Sequence, residues 1–292
     1  MEKNNLFKQY IRSDFTVNHN INVGWVMDDF HFHDPYEIYL SLSNGVIYYI
    51  EGCVYHVKKG DLFIFNNMDL HKTEVTPDLE YERYIITFMP EFIEVMSTDS
   101  TDLLECFINR SQNFSYCVHL SEEQLQQLTD LFEKAIYYNQ NPAYGADIQI
   151  KITLAQILLL VNSFYQAPTT MIASKSSITY KRIKPVIQYI SQNLEKNLSL
   201  DHLSEKFFIS KYHLGYLFKK VTGFTINEYI INRRIIKARE LLQKDLNVSK
   251  VGELVGYCNV SHFIRTFKKL VGTTPKQYAK KLPYSSTTLK NT

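Results

Sequence analysis

The chain has 292 residues, of which 45% are hydrophobic and 14% aromatic, with 32 Lys and Arg against 30 Asp and Glu. This apolar content excludes an intrinsically disordered protein, and only ten glycines and eight prolines exclude a fibrous or low-complexity one. A chain of this length can form two domains, each with its own hydrophobic core.

The charge is distributed unevenly along the chain. Residues 1–175 contain 11 basic and 23 acidic side chains, a charge of −12, whereas residues 176–292 contain 21 and 7, a charge of +14. The carboxy-terminal part therefore attracts polyanions such as nucleic acids, and the amino-terminal part repels them.

Cysteine spacing and apolar segments indicate a cytoplasmic protein. The four cysteines form no C-x-x-C pair, so we expect reduced thiols and neither a zinc ribbon nor a disulfide framework. The amino terminus lacks the apolar core of a signal peptide, and the most apolar run, residues 152–161, is too short to span a bilayer. We therefore expect no membrane partner.

Residues 20–88 show the pattern of an all-β domain. Short segments of strand-forming residues, such as YEIYLSL, GVIYYIEG and DLFIFN, are separated by Gly, Asn and Asp. They predict a sandwich or a small barrel. Five aromatic residues are candidates for lining a ligand pocket, where they would stack on a sugar ring or enclose an apolar ligand, or are ordinary core residues: Trp25, Tyr36, Tyr39, Tyr48 and Tyr49.

A histidine pattern lies in the same region. His31 and His33 alternate along the chain and would face one side of a strand. Glu37 follows them, and His71 comes from a later strand. These four side chains could hold a divalent metal such as iron, manganese, nickel or zinc. The alternative is that they line a pocket or form hydrogen bonds in the core without a metal.

Two helices are predicted after the β region. Ser121 to Gln124 form a capping box, and the apolar residues that follow have helical spacing over about four turns. A second helix follows Asn141 and Pro142, with a broad apolar stripe from Leu154 to Tyr165. This pair could cover the β domain within one monomer or also pack against a second subunit. Residues 166–180, rich in small and hydroxylated side chains, are predicted to be a linker.

The basic part of the chain begins with a predicted helix-turn-helix unit. Pro185 is expected near the start of a preceding helix. In the unit itself, a short helix begins near Ser199, a turn lies at Phe208 and Ile209, and a second helix is capped by Ser210. The outer face of this second helix, which could enter a major groove, presents Lys211, Tyr212, Gly215, Tyr216 and Lys219.

A second copy of this pattern follows about 48 residues later. Asn259 is the predicted N-cap, and Phe263 and Phe267 are expected to point inward. The residues predicted to point outward are Val260, Ser261, Ile264, Arg265 and Lys268. Arg265 is the candidate for direct base reading, through bidentate hydrogen bonds to guanine, while lysines are expected to contact phosphates. Between the two units, residues 226–245 predict a helix whose apolar positions can bridge both.

The carboxy-terminal hundred or so residues resemble the DNA-binding domain of the AraC/XylS family of bacterial transcription regulators. The residues that carry most of the resemblance are Gly256, Tyr257, Asn259, Ser261, Phe263, Phe267, Lys268, Lys269, Gly272, Thr274, Pro275 and Tyr278, with Arg234 and Ala238 in the linking helix. Three positions depart from the family pattern. Ser204 and Gly252 stand where alanine is usual, and Phe208 stands where the first turn commonly has glycine.

The histidine pattern is similar to the cupin motif pair, and the AraC family commonly has a cupin-like barrel in this position. Asn66 and Met68 replace the proline and glycine that usually precede the histidine of the second cupin motif. The resemblance implies that the barrel binds a small effector and that the helices after it form a dimer. The resulting effector-binding candidates are Trp25, His31, His33, Glu37, Tyr39 and His71, and the metal candidates are His31, His33, Glu37 and His71.

The sequence thus predicts an α+β protein of two domains. A cupin-like effector-binding and dimerisation barrel with two accessory helices spans 1–165, a linker spans 166–180, and a double helix-turn-helix domain spans 181–292. We expect a transcription regulator rather than an enzyme, and the resemblance favours an activator. Its expected partners are double-stranded DNA, a small-molecule effector such as a sugar, a second copy joined through helices within 121–165, and RNA polymerase. No cofactor is expected apart from the metal alternative.

Two other functions fit the same features. One is a metal-dependent cupin enzyme, an isomerase or dioxygenase, attached to a DNA-binding module, which would need His31, His33, Glu37 and His71 to hold the metal with an open coordination position. The other is a DNA-binding dimer whose barrel binds no ligand.

Overall fold

A computed structural model describes residues 14–25, 27, 30–31, 33–50, 53–67, 69–110, 114–166, 178–242 and 246–281. Of the described residues, those up to Lys181 and those from Arg182 onward form two compact units.

The first unit is built on two antiparallel sheets. Its strands are β1 (Phe15–Val23), β2 (Tyr36–Ser41), β3 (Val46–Ile50), β4 (Cys53–Val57), β5 (Asp61–Phe65), β6 (His71–Val75), β7 (Glu80–Phe88) and β8 (Cys117–His119). One sheet has five strands in the order β1, β7, β2, β5, β8, and the other has three in the order β4, β3, β6. Of the predicted sandwich and barrel, the described strands form the sandwich.

The central strands of the larger sheet are buried on both faces. On β2, Tyr36, Ile38 and Leu40 belong to a core cluster shared with helices, whereas Tyr39 belongs to a second cluster between the two sheets. Because successive side chains of a strand point to opposite faces, both faces of β2 need apolar residues. The nearly continuous apolar sequences of β2 and β5 follow from this double burial.

Among the described residues, the helices that accompany the sandwich are α1 (Pro90–Glu94), α2 (Glu105–Ile108), α3 (Glu122–Gln140) and α4 (Ala146–Gln166). The predicted capping box is present at the start of α3. The Ser121 hydroxyl accepts a hydrogen bond from the Gln124 N–H at 3.2 Å, and the Gln124 side chain accepts one from the Ser121 N–H at 2.9 Å. Phe132 of α3 and Leu158 of α4 are buried in the cluster that covers the five-stranded sheet.

Helix α4 is long and apolar enough to cross a membrane by length and composition alone. In the fold, however, its residues Leu154, Ile157, Leu158 and Val161 are completely buried in the core shared with the large sheet. Packing on the sandwich thus accounts for these four apolar residues of α4.

The second unit consists of helices. They are α5 (Ile178–Gln192), α6 (Leu200–Phe207), α7 (Lys211–Thr222), α8 (Ile226–Leu242), α9 (Val248–Leu254), α10 (Val260–Val271) and α11 (Pro275–Lys281). Helix α5 begins within the range predicted as a linker, most of which, residues 167–177, lies outside the described residues. The placement of Pro185 near a helix start was wrong, because Pro185 lies inside α5, where its missing N–H removes one helical hydrogen bond.

Helix α8 joins the two helix-turn-helix units, as its apolar pattern predicted. Near its start, the ring of Tyr229 packs against Phe218 of α7 with 5.4 Å between ring centroids. Further along, Ile235 and Ala238 are buried in one cluster with Phe263 and Phe267 of α10. One helix therefore contributes to the cores behind both recognition helices.

Candidate functional site

The first recognition helix, α7, is fixed at both ends. The Ser210 side chain accepts a hydrogen bond from the backbone N–H of His213, and Gly223 ends the helix with a φ of 76°. Leu214 and Phe218 are completely buried on the inner side. These interactions explain why the polar, aromatic and glycine positions of α7 remain on the outside.

The predicted DNA-facing residues of α7 form one outer surface. Lys211, Tyr212, Tyr216 and Lys219 are exposed. Gly215 is half-buried, and a Cβ atom built on it would meet no other atom within 4 Å, so the backbone is open to close approach. A surface with two aromatic rings, two cations and an accessible backbone suits the sugar-phosphate chain and the base edges of a duplex.

Lys211 has an acidic partner within the protein. Its Nζ lies 2.5 Å from Oδ1 of Asp201 in α6, and this hydrogen bond and the charge of Asp201 raise the pKa of Lys211. Both side chains are more than half exposed, so the pair is weak and easily exchanged. Lys211 is therefore available to a DNA phosphate.

The second recognition helix, α10, is capped in the same way. The Asn259 side chain accepts a hydrogen bond from the N–H of His262 at 2.9 Å, and Gly272 follows the helix with a φ of 85°. Phe263 and Phe267 are buried on its inner side, as expected.

The outer residues of α10 are not equivalent. Ser261, Arg265 and Lys268 are exposed, and the Arg265 guanidinium forms no hydrogen bond or ion pair with any described residue. Val260 is half-buried. Ile264 is half-buried as well and packs against the core cluster of α10, which corrects the expectation that it points outward. Its position on the border between the two helix faces is the reason.

Three arginines of α8 have structural partners. Arg234 donates from Nε to the Leu194 carbonyl at 3.0 Å and from Nη2 to the Lys196 carbonyl at 3.1 Å. Arg233 donates to the Tyr229 hydroxyl at 2.8 Å, and Arg239 to the Tyr278 hydroxyl at 2.9 Å. In the sequence, Arg234 was identified only as a residue that carries the family resemblance. The structure shows that its hydrogen bonds connect α8 to the segment after α5.

The second candidate site lies between the sheets, where three histidines meet. His31, His33 and His71 are buried, and their nearest ring nitrogens lie within 4.8 Å of one another. Backbone hydrogen bonds of 3.0 Å in both directions pair His31 with His71. The prediction that these residues share a site with Glu37 agrees with this geometry, because Glu37 Oε2 lies 2.8 Å from His33 Nε2.

The three imidazoles differ in protonation. Burial, together with the charges of the other histidines, lowers the pKa of His31 well below its ordinary value and that of His71 to about 3. Burial also opposes charge on His33, but the hydrogen bond and charge of Glu37 and a bond to the Pro35 carbonyl outweigh it and raise the pKa of His33. The cluster thus combines two neutral imidazoles with one imidazole–carboxylate pair.

The imidazole nitrogens and the carboxylate of this cluster are ligand types that suit a divalent metal. His71 donates from Nδ1 to the Asp69 carbonyl at 3.1 Å, which leaves Nε2 as a lone-pair donor for a ligand. His33 already uses Nδ1 on the Pro35 carbonyl at 2.7 Å and Nε2 on Glu37. A metal bound here would replace the proton that His33 and Glu37 share, and would then supply Lewis-acid chemistry.

The remaining effector candidates divide between two sides of the sheets. Tyr39 and Tyr48 lie in the cluster between the sheets, and Trp25 packs at its edge against Tyr81 with 5.4 Å between ring centroids. Tyr36 belongs instead to the helix-facing core, stacked on Phe107, and Tyr49 lies on the outer face of β3, where its hydroxyl donates to Glu74 at 2.9 Å. Strand alternation excludes both from the interior.

The sequence reasoning missed two residues of the interior, Tyr81 and Arg83. Both lie on β7 and face the second sheet with Ile85, and the hydroxyl of Tyr81 donates to the hydroxyl of Tyr39 at 3.0 Å. The available signal was the alternation along β7, which places Tyr81, Arg83 and Ile85 on one face. An arginine on a buried face is unusual in a strand.

Two known protein-family models match the chain, one over each unit. The model described as the AraC-like ligand binding domain matches residues 13–158, and the model described as a helix-turn-helix domain matches residues 203–281. These two ranges correspond to the sandwich with α3 and most of α4, and to the helices from α6 to α11.

Individual relatives include regulators of similar length. The uncharacterized HTH-type transcriptional regulator YdeC of Bacillus subtilis is 26% identical over 275 residues, covering 91% of this chain and 89% of YdeC. The regulatory protein PocR of Salmonella typhimurium is 27% identical over 106 residues, covering 36% of this chain and 35% of PocR. Apo ToxT of Vibrio cholerae aligns with 92% of this chain and 98% of its own at 13% identity, with a TM-score of 0.40.

The ligand-binding family model spans half of the chain, and the helix-turn-helix model covers most of the remainder. Together with the capped pair of recognition helices, these matches show that the chain belongs to the AraC family of DNA-binding transcription regulators, with a ligand-binding domain of the AraC type.

Proposed function

We propose that a small molecule bound between the two sheets of the sandwich controls how this regulator engages DNA. The observation that carries the proposal is the polar character of that interior. His31, His33, Glu37 and Arg83 are all buried there among aromatic rings. Burying such groups opposes folding, so a core that served stability alone would be apolar. A binding site is a reason to keep them.

DNA recognition is assigned to the outer faces of α7 and α10. Arg265 is exposed and free of protein partners among the described residues, which suits bidentate bonding to guanine. Lys219 and Lys268 each lie three residues after an exposed candidate for facing the bases, Tyr216 and Arg265 respectively, and suit phosphates. Two recognition helices about 34 Å apart would meet successive major-groove segments on one face of the duplex. By family resemblance we expect activation and a contact with RNA polymerase in the cytoplasm.

Dimer formation is proposed through α4. Ile148, Ile152 and Leu159 are exposed and lie on one side of this helix at helical spacing. An exposed apolar row of this kind indicates a protein interface. A charge introduced into this row, Leu159→Glu, should convert a dimer to a monomer in analytical ultracentrifugation. Asn139→Glu, an exposed position on α3, is the matched control and should leave the mass unchanged.

The experiment that tests the regulatory function is selection of genomic DNA fragments by the purified full chain, followed by sequencing. We expect a few sharp peaks upstream of genes, with two half-sites in each. Addition of extract metabolites should change the occupancy of these peaks if the sandwich controls DNA binding. Uniform recovery of fragments with and without metabolites would contradict sequence-specific regulation.

The alternative of a metal-dependent enzyme requires a tightly held metal in the histidine cluster. Metal analysis of purified protein separates the two functions, since a regulator whose cluster lines a pocket would carry far less than one equivalent. The paired state of His33 and Glu37 favours the pocket, because the two side chains already satisfy each other.

A further inference from the structure

Inside the sandwich lies a buried cation that forms an ion pair with no carboxylate among the described residues. Arg83, on β7, is only 5% exposed and faces the second sheet between Tyr81 and Ile85. Its neighbour Glu82 faces the opposite side, where it binds His19 at 2.8 Å. Glu37, on the same inner face, is bonded to His33. Neither carboxylate therefore pairs with Arg83.

The guanidinium uses only part of its hydrogen-bonding capacity. Nη1 donates to Oδ1 of Asn22 at 2.9 Å and to the carbonyl of Tyr81 at 3.2 Å. A guanidinium carries five N–H donors, and those of Nε and Nη2 have no protein acceptor among the described residues. Donors that no described residue occupies can bind the oxygens of an anion.

Two aromatic rings lie against the Arg83 guanidinium. The guanidinium carbon lies 3.9 Å from the ring centroid of Tyr81 and 5.3 Å from that of Trp25. Trp25 is partly buried at the edge of the inner cluster. This position thus combines a guanidinium, which can bind a carboxylate, with aromatic surfaces, which can pack against an apolar group. Both parts of an organic acid could be recognised here.

We infer that the effector of this regulator is a small organic acid whose carboxylate pairs with Arg83 and whose apolar body packs against Trp25 and Tyr81. The inference rests on the proposed effector function of the sandwich and names its ligand class. A singly charged carboxylate matches one guanidinium, whereas a phosphate dianion would leave one negative charge uncompensated near Glu37. A neutral sugar would leave the charge of Arg83 unpaired.

The test uses intrinsic fluorescence, because Trp25 is the single tryptophan of the chain. The full-length protein, in buffer free of carboxylates, is titrated with benzoate, hexanoate and decanoate, with the corresponding amides, and with phenyl phosphate. We expect at least one acid to change the fluorescence of Trp25 saturably below about 10 mM, and its amide to bind at least about tenfold more weakly. Phenyl phosphate should bind more weakly than benzoate.

Three variants connect the signal to the guanidinium. Arg83→Gln should weaken binding of the acid at least about tenfold, and Arg83→Lys should retain part of it, because lysine keeps the charge but not the fork. Lys134→Gln, which removes the same charge from an exposed position on α3, should bind like the wild type. If Arg83→Gln fails to fold, the comparison of acids with amides on the wild-type protein still decides.

Several outcomes would overturn the inference. They are equal binding of acids and amides, unchanged affinity in a folded Arg83→Gln variant, stronger binding of phenyl phosphate, or no response of Trp25 to any acid of the series. The DNA selection experiment separates this result from the regulatory proposal. Specific DNA peaks without acid binding would refute only the ligand class, whereas acid binding without any effect on DNA would refute effector control.

Discussion

Two corresponding turns of the helix-turn-helix units predict stability changes of opposite sign. Phe208 and Gly256 each follow the first helix of a unit, and their N–H groups donate to the carbonyls of Glu205 and Glu253. Both residues have a positive φ, 54° and 85° respectively. Only glycine adopts this conformation without strain, so one turn carries a strained residue and the other does not.

The substitution Phe208→Gly should stabilise the protein. A left-handed conformation costs a non-glycine residue about 1–2 kcal/mol, and the greater freedom of glycine in the unfolded chain returns about 0.4–1 kcal/mol of that cost. The Phe208 side chain is 94% exposed, so its removal loses little packing. The free energy of unfolding should therefore rise by about 0.5–1 kcal/mol, a Tm increase of about 2–6 °C for a unit of this size.

The substitution Gly256→Ala should have the opposite effect. A Cβ atom at this position would lie 2.3 Å from the carbonyl oxygen of Leu194 and 2.6 Å from Nη2 of Arg234. The backbone conformation costs about 1–2 kcal/mol, and displacing the crowded carbonyl and guanidinium adds about 1–3 kcal/mol. We therefore expect a loss of roughly 2–5 kcal/mol in the free energy of unfolding.

Thermal unfolding of the full chain can measure both changes. Far-UV circular dichroism is dominated by helices, and fluorescence of Trp25 reports on the unit that contains the sandwich. The substitutions should shift the helical transition and leave the fluorescence transition in place. A lower Tm for Phe208→Gly, or a free energy for Gly256→Ala within about 0.5 kcal/mol of the wild type, would refute the conformational reasoning.

Three further predictions concern the two sites. Arg265→Ala should reduce the binding free energy at the selected DNA site by about 1–3 kcal/mol and relax base preference at one position. Lys268→Ala should instead weaken binding to all sequences alike and reduce the slope of log affinity against log salt concentration by about one. An unchanged base preference in Arg265→Ala would exclude base reading by Arg265. Glu37→Gln should lower the pKa of His33, measurable by NMR. In the wild type, the contribution of the His33–Glu37 pair to the free energy of unfolding is complete below pH 6.5, the pKa of histidine in the unfolded chain. This contribution is lost as pH rises through the raised pKa of His33, and the variant should lack this loss of stability. Chelation should leave Tm and DNA affinity unchanged, and a fall in either would show that a metal is bound.

The sequence predicted local features well where one physical signal dominates. Capping residues such as Ser121, Ser210 and Asn259 mark helix starts, because they satisfy N–H groups that the helix leaves unpaired. Pro185 was misplaced because proline favours a helix start but is tolerated inside a helix when packing compensates for one lost hydrogen bond.

The interior of the sandwich was harder to predict, because it depends on which face of each strand is covered. Tyr36 and Tyr49 were assigned to the lining on composition alone, although alternation sets them on other faces from Tyr39 and Tyr48. Arg83 was overlooked for a related reason. A basic residue in a strand reads as solvent-exposed until the neighbouring sheet is known to cover it.

The charge asymmetry also has a different meaning once the partners of individual cations are known. Arg233, Arg234 and Arg239 contribute to the excess of basic residues in the carboxy-terminal unit, but each bonds a carbonyl or a tyrosine within the fold. They strengthen the long-range attraction of DNA, although part of the hydrogen-bonding capacity of each is used within the protein. Exposed residues such as Arg265 and Lys268 provide the direct contacts. Net charge thus indicates that DNA is bound, and side-chain partners decide which residues bind it.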